Sequence, residues 1–350
     1  MLNNTDFTLL TKAEYLRDLA ARIAATDKGD RVLVVTHDFR PEEPMVSNVV
    51  QALSAAARRG VQTHFAIDER SFPVLQRIPL TRKSHRLIRD TNHILNSLKA
   101  AGAVSAITNK SYNRVLNRFS GRAHIKLGII NNTVYIGGCN LTNPNQIDIM
   151  LRWDNAKAAH WLRGLMEQVL TNGNSVAALA GRDRTLQVDD ATTLLVDAGV
   201  RHQSIILEHA LRTIDEAREW IVVTCQFFPS GVTARHLTAA HKRGVDVRMY
   251  FNHPATHQPG INVLMHVGTT HERTRQPGVL FAGQLPRRFP FMHAKLLATE
   301  QSVMLGSHNY MPLGVRWGTA ESALLRRDPA LALRATAHFL AQLDAAKQPA

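Results

Sequence analysis

His293 and Lys295 stand two residues apart in Phe291-Met-His293-Ala-Lys295-Leu-Leu-Ala-Thr-Glu300, and Asn309 follows in Met304-Leu-Gly306-Ser307-His308-Asn309. On extended backbone the imidazole and the ammonium leave one face, while Met292, Ala294 and Leu296 take the other. The apolar run after Lys295 carries a strand into a core, a polar turn at Thr299 to Ser302 reverses it, and a second strand returns Asn309 beside the pair. A titratable base, a cation and an amide donor at one strand edge suit an anionic substrate such as a phosphate.

The same arrangement occurs earlier. His124-Ile-Lys126 leads into Leu127 to Ile130, a polar turn at Asn131-Asn132-Thr133, a strand, then Gly137-Gly138-Cys139-Asn140. From His to Asn is 16 positions in each copy, 124 to 140 and 293 to 309. Two such copies facing one cavity are sufficient for phosphodiester chemistry. One imidazole attacks phosphorus, and the other protonates the leaving alkoxide and later deprotonates the acceptor hydroxyl. The lysines and asparagines hold the non-bridging oxygens. No metal or other cofactor is expected, because each ammonium repels a cation and no carboxylate or thiol cluster accompanies the pairs. Cys139 reads as a small strand-end residue, since His308 occupies the matching place.

The elements that position these residues follow from periodicity. Tyr15, Leu16, Leu19 and Ile23 predict a helix over 12–26, Arg31 to Thr36 a buried strand, Val46 to Ala57 a helix over 43–59, and Val61 to Ile67 a strand. That order is a βαβ unit with parallel strands. Further strands are expected at Ile147 to Leu151, Thr192 to Asp197, Trp220 to Thr224, Gly244 to Tyr250 and Thr319 to Leu325, with helices over 155–170, 204–218 and 234–242. Val34-Val-Thr36 matches Val222-Val-Thr224, and Arg58-Arg-Gly60-Val61 resembles Lys242-Arg-Gly244-Val245, so the chain reads as an internal repeat. The fold class is α/β, two similar halves over 1–183 and 184–350, each a mixed sheet flanked by helices, with the site at their interface.

The repeat is uneven. From its Gly to its motif His the first half runs 64 positions, 60 to 124, and the second only 49, 244 to 293. The longer interval holds a basic segment with Arg82, Lys83, Arg86, Lys110, Arg114, Arg118 and Arg122, in which Asp90 is the only acid between Arg77 and Lys126. If helical, Lys110, Arg114, Arg118 and Arg122 form one stripe. Either it is a solvated helix face or it docks on acidic lipid headgroups or a phosphate-bearing polymer. The net charge of +14 favours anionic partners of either kind. Two cysteines imply no disulfide framework, and neither a signal-type leader nor a spanning apolar run is visible, so a cytoplasmic, peripheral protein is expected.

The doubled His-x-Lys pattern, with Gly-Gly or Gly-Ser before Asn, resembles the phospholipase D superfamily over nearly the whole chain. His293, Lys295, Glu300, Gly306, Ser307 and Asn309 match one motif, with Glu for the usual Asp; His124, Lys126, Gly137, Gly138 and Asn140 match the other, with Asn131 at the acid position. The resemblance also implies an acid after each motif that holds an imidazole; Asp148 and Glu321 are the similar positions, each within a short reach back. It leans to His124 as nucleophile and His293 as acid and base. The Gly-Gly and Gly-Ser forms are similar to bacterial cardiolipin synthases and related phosphatidyltransferases, although the continuation Tyr310-Met311-Pro312 departs from theirs. The implied activity is phosphatidyl transfer or phospholipid hydrolysis through a phosphohistidine at an anionic membrane. The alternatives are a phosphodiesterase or nuclease of the same superfamily acting on nucleic acid, and a non-catalytic lipid-binding scaffold.

Overall fold

A computed structural model describes residues 7–68, 82–108, 122–171, 182–228, 230–256, 267 and 284–347. The first half comprises β1 (Thr8–Leu10), α1 (Lys12–Ala24), β2 (Arg31–Thr36), α2 (Pro44–Arg58), β3 (Gln62–Asp68), α3 (Arg82–Ala100), β4 (Val104–Thr108), β5 (Leu127–Ile130), β6 (Thr133–Gly137), β7 (Met150–Asp154) and α4 (Ala156–Thr171). The second comprises β8 (Arg184–Gln187), β9 (Thr192–Ala198), α5 (Ile205–Glu216), β10 (Trp220–Thr224), α6 (Val232–Lys242), β11 (Asp246–Tyr250), β12 (Leu296–Thr299), β13 (Val303–Gly306), α7 (Pro312–Trp317), β14 (Ala320–Arg326) and α8 (Pro329–Lys347).

Local sequence accounts for three of the helix starts. Thr11 caps α1 reciprocally with Glu14, and Tyr15, Leu16, Leu19 and Ile23 form its buried stripe. Pro44 opens α2, where its missing N–H costs nothing. Ser204 accepts from the Leu207 N–H and starts α5.

The strands form two seven-stranded sheets, ordered β1-β7-β6-β5-β2-β3-β4 and β11-β10-β12-β13-β14-β9-β8. Five neighbours repeat, β7-β6-β5-β2-β3 against β14-β13-β12-β10-β11, with a parallel pair at one end and antiparallel ladders elsewhere. The extra interval of the first half supplies α3 and β4, which extends the sheet by one parallel strand. Arg86 on α3 is exposed and 3.6 Å from Asp90, and the side chains of Arg82 and Lys83 are not described. Of the expected basic stripe, Lys110, Arg114 and Arg118 lie outside the described residues, and Arg122 is half-buried just before the first motif.

Both faces of each sheet are covered, as alternation along the strands records. Val32 and Val34 pack under α1 and α2, while Leu33 and Val35 face the other half; Ile221 and Val223 pack under α5 and α6, while Val222 faces inward. The inward faces, with α4 and α8 between them, form one core that includes Leu127, Ile129, Leu162, Val196, Leu296, Leu305 and Phe339. Each such apolar side chain is worth about 1.5–3 kcal/mol when fully buried. Separating the halves would expose this shared layer.

Three expectations are corrected in detail. The motif residues His124–Lys126 and His293–Lys295 precede β5 and β12 rather than lying in them. β7 starts at Met150, because Ile147 is bridged to Met292 of the second half instead. Val34–Thr36 and Val222–Thr224 are offset by one position, since Val35 lies opposite Leu127 whereas Thr224 lies opposite the corresponding Leu296. The structurally equivalent residues are therefore Thr36 and Cys225, then His37 and Gln226. Among the described residues, no helix is long and apolar enough to cross a membrane.

Candidate active site

The two motif segments enter the interface by pairing with the opposite half. The His124 N–H donates to the Ala320 carbonyl at 2.9 Å, and the Ala320 N–H donates to the Arg122 carbonyl at 2.7 Å. In the mirrored arrangement the His293 N–H donates to the Ile147 carbonyl at 2.7 Å, and the Ile147 N–H donates to the Phe291 carbonyl at 3.1 Å. The residue after Ala320 is Glu321, and the residue after Ile147 is Asp148. Each acid is thereby set against the imidazole of the other half.

His124 Nδ1 lies 2.8 Å from Glu321 Oε2 and 3.0 Å from Oε1; His293 Nδ1 lies 2.8 Å from Asp148 Oδ2. The acids reach across the interface, not back to their own copy as a short local reach implied. All four residues are buried. With Nδ1 engaged, Nε2 of each ring is the atom left for chemistry.

The glycines of the motifs follow from this closeness. A Cβ at position 138 would lie 2.1 Å from Asp148 Oδ1 and 3.3 Å from the His293 carbonyl oxygen. At the matching place Ser307 fits, and its hydroxyl donates to Glu321 Oε2. A Cβ at Gly306 would lie 2.3 Å from the Ser322 carbonyl oxygen, so β13 and β14 require glycine there.

Lys126 and Lys295 are fully buried, and each Nζ donates to the carbonyl of the histidine two residues before it. Burial brings Lys126 down to about 7 and Lys295 to about 8. Asn140 Oδ1 accepts from the His37 and Asp38 N–H groups at 3.2 and 3.1 Å, and so fixes the end of β2. Asn309 Oδ1 is buried and has no hydrogen-bond partner among the described residues.

The two imidazole–carboxylate pairs differ in proton content. Burial, then Lys295, pushes His293 down to about 3; burial works to raise Asp148, but His293, Lys295 and Lys12 outweigh it and hold the carboxyl low. That pair is proton-poor at neutral pH. Burial pushes Glu321 up to about 8, with Asp197 adding to the effect against Lys126, Ser307 and Lys295, while burial and Lys126 depress His124. The second pair retains one proton between its partners at neutral pH. Whichever partner holds it, Nε2 of His124 carries a hydrogen.

Asn131 and Glu300 do not join this cluster. They sit at the β5–β6 and β12–β13 turns, at the strand ends away from the histidines, where Asn131 accepts from the Arg31 N–H at 3.0 Å and Glu300 from the Arg218 N–H at 2.8 Å. Both anchor a hairpin to an incoming strand, a task that needs an acceptor rather than a charge. The motif pattern passes over four residues that the structure places at or behind the site. His37 has its ring 4.6 Å from that of His124; Asp68 accepts from the Ala123 N–H at 2.9 Å; Asn252 accepts from the Met292 N–H at 2.9 Å; and buried Lys12 donates to Thr142 and Gln146. Asp68 and Asn252 each stand eight positions past the repeat glycines 60 and 244, which was the available signal. Among the described residues, no group of three or more His, Cys, Asp or Glu is arranged to hold a metal ion.

The sequence matches the family described as "Cardiolipin synthase, PLD-like domain" over residues 19–170 and 210–343. The chain belongs to this phospholipase D-like family. The two matched stretches contain the two histidine motifs, one in each half. Among solved structures, the phosphatidylserine synthase of Haemophilus influenzae Rd KW20 is similar, with a TM-score of 0.67 and 14% identity over 98% of this chain and 88% of that one. The polyphosphate kinase of Porphyromonas gingivalis is also similar, with a TM-score of 0.58 and 12% identity over 97% of this chain and 50% of that one. At these identities the phospholipase D-like likeness is one of fold. No curated protein matches the sequence.

Proposed function

We propose that this chain is a phosphatidyltransferase or phospholipase that works through a covalent phosphohistidine, with cardiolipin-synthase-like transfer between phospholipid headgroups as its foremost activity. The observation that carries the reading is the pair of imidazole–carboxylate contacts made crosswise in one buried interface, flanked by two buried lysines. A lone imidazole can serve as nucleophile or as acid; two with unlike proton content can divide the work.

The proton content favours a particular division. His293, with its Nδ1–H held by ionised Asp148, presents a free Nε2 lone pair and attacks phosphorus. The bond to the leaving alkoxide breaks as the proton shared by His124 and Glu321 passes to that oxygen from Nε2. In the second half, the His124 pair takes the proton of the acceptor hydroxyl, whose oxygen displaces His293 from phosphorus. This is the converse of the division that the family resemblance implies. Lys126 and Lys295, close to neutral pH in their titration, gain protons as the phosphate charge arrives and stabilise the five-coordinate state.

The test is incubation with labelled phosphatidylglycerol, alone and with added glycerol, beside a nucleic-acid substrate, with products resolved by mass. Headgroup exchange or hydrolysis that is lost in both His124→Ala and His293→Ala supports the reading. Turnover of the nucleic acid alone would transfer the same chemistry to the nuclease reading, and full lipid turnover by either variant would remove the histidines from the mechanism.

A further inference from the structure

The repeat supplies its own comparison for two residues that the motifs leave out. At the end of β2 stands His37, whose structural equivalent at the end of β10 is Gln226. Asp68 ends β3, and its equivalent is Asn252: each accepts the backbone N–H of the residue just before a motif histidine, Ala123 in one half and Met292 in the other. The first half thus carries an imidazole and a carboxyl where the second carries the two uncharged amides of nearly the same shape. His37 Nδ1 lies 3.7 Å from Asp68 Oδ1, and the His37 ring meets the His124 ring edge to face at 4.6 Å between centroids. The His37 main chain is fastened in turn, its N–H donating to Asn140 Oδ1 at 3.2 Å. Both side chains are buried, and His37 keeps 8% of its surface accessible.

On the phosphate-ester reading given above, we propose that His37, backed by Asp68, is a third imidazole of the site that takes up a proton as the substrate's phosphate binds and sets its positive charge beside the phosphate. The charges around it support this behaviour. Burial first, then Lys126, Arg122 and His293, hold the His37 imidazole well below its ordinary value, while a hydrogen bond with the Ala123 backbone works the other way; among the described residues, His124 and Asp68 also face it. A phosphate anion arriving among these cations makes the imidazolium favourable, with Asp68 on its far side to balance it. Proton uptake is therefore coupled to binding. Gln226 can offer at most an uncharged donor at the matching place, so the two halves grip phosphate with unequal strength.

The experiment uses the full-length protein and inorganic phosphate, with binding followed by phosphorus NMR from pH 5.5 to 8.5 and proton uptake followed by calorimetry in buffers of different ionisation enthalpy. His37→Gln and Asp68→Asn reproduce the second half's residues and keep the packing. Wild type should bind more weakly as pH rises. His37→Gln should bind about tenfold more weakly at the acid end, with a shallower pH dependence and fewer protons taken up. Asp68→Asn should move affinity and uptake in the same direction by less. A His37→Gln protein that is folded by circular dichroism and matches wild type in affinity and uptake at every pH would overturn the His37 proposal and leave the phosphate-ester reading standing. Absence of phosphate binding by wild type would overturn both.

Discussion

Glu321 of the second half holds His124 of the first at 2.8 Å, although 197 positions separate them in sequence. The reciprocal contact, Asp148 to His293, has the same length. The carboxyl that holds each imidazole comes from the other half, so these pairs exist only when the halves are docked. Glu321→Gln should therefore behave as a lesion in the first copy, and Asp148→Asn as one in the second. Each single change should lower kcat by about 10²–10⁴, with KM little changed. Adding Glu321→Gln to His124→Ala should cost almost nothing further, whereas adding it to His293→Ala should show no such coupling through His124. A double-mutant cycle on phosphodiester turnover separates the two patterns, and coupling of Glu321 to His293 alone would refute the crosswise assignment.

The proton shared by Glu321 and His124 sets a pH window. The folded-state value of Glu321, about 8, lies above the ordinary 4.5, so the folded protein binds more protons than the unfolded chain between those values. This group's contribution to stability is complete below about pH 4.5 and is lost as pH rises to about 8. Thermal midpoints of wild type and Glu321→Gln, compared over that range, should move in the variant's favour as pH increases. Turnover should fall above about pH 8 as the shared proton is released. Asp197 lies directly opposite Glu321 in the β9–β14 ladder and adds to its high value, so Asp197→Asn should shift this alkaline limb downward. A limb that stays in place in Asp197→Asn would show that the limb belongs to another group.

The repeat, the parallel pairs and the two histidine motifs were legible because they are written in local spacing. His-x-Lys followed by Asn at a fixed distance needs no knowledge of the partner half. The crosswise acids were visible as residues but not as pairings, since local sequence gives no sign that Ile147 bonds to Phe291 and His293 rather than to its own sheet. The one-residue offset between Thr36 and Thr224 was hidden for the same reason: two Val-Val-Thr strings look equivalent until the ladders fix which residue faces Leu127 and which faces Leu296. Short edge strands such as β1, with three residues, carry too few side chains to show alternation. α8 did carry a signal, Leu331, Ala335, Phe339 and Leu343 at helical spacing, but none of its residues belongs to a motif.

Gly138 and Gly306 should fail in different ways when given a methyl group. In Gly138→Ala the new Cβ meets Asp148 Oδ1 at 2.1 Å, so the carboxylate must swing away from His293. The expected result is loss of turnover with a modest change in stability. In Gly306→Ala the Cβ meets the Ser322 carbonyl at 2.3 Å and Ala323 Cα at 2.7 Å, both backbone atoms of β14. That change should cost about 1–3 kcal/mol of stability. Urea unfolding beside turnover measurements distinguishes the two, and an active Gly138→Ala protein would mean that Asp148 has room to spare.

Lys12 is the buried cation behind the Asp148–His293 pair. It opens α1, has no exposed surface, and donates to Thr142 Oγ1 and Gln146 Oε1 in the segment between Asn140 and Asp148. Its charge is also one of the influences that keep Asp148 ionised. Lys12→Met retains the aliphatic stem but removes the donor to the buried Thr142 hydroxyl and the half-buried Gln146 carbonyl, a loss of about 1–3 kcal/mol. The electrostatic consequence is the sharper one. With Lys12 removed, Asp148 rises from its depressed value, so the His293 pair acquires its proton at higher pH. The acid limb of turnover should then move toward neutrality while the alkaline limb, which belongs to Glu321 and His124, stays where it is. A pH–rate profile of the folded variant measures both limbs at once, and equal movement of the two would show that Lys12 supports the whole interface rather than the Asp148–His293 pair.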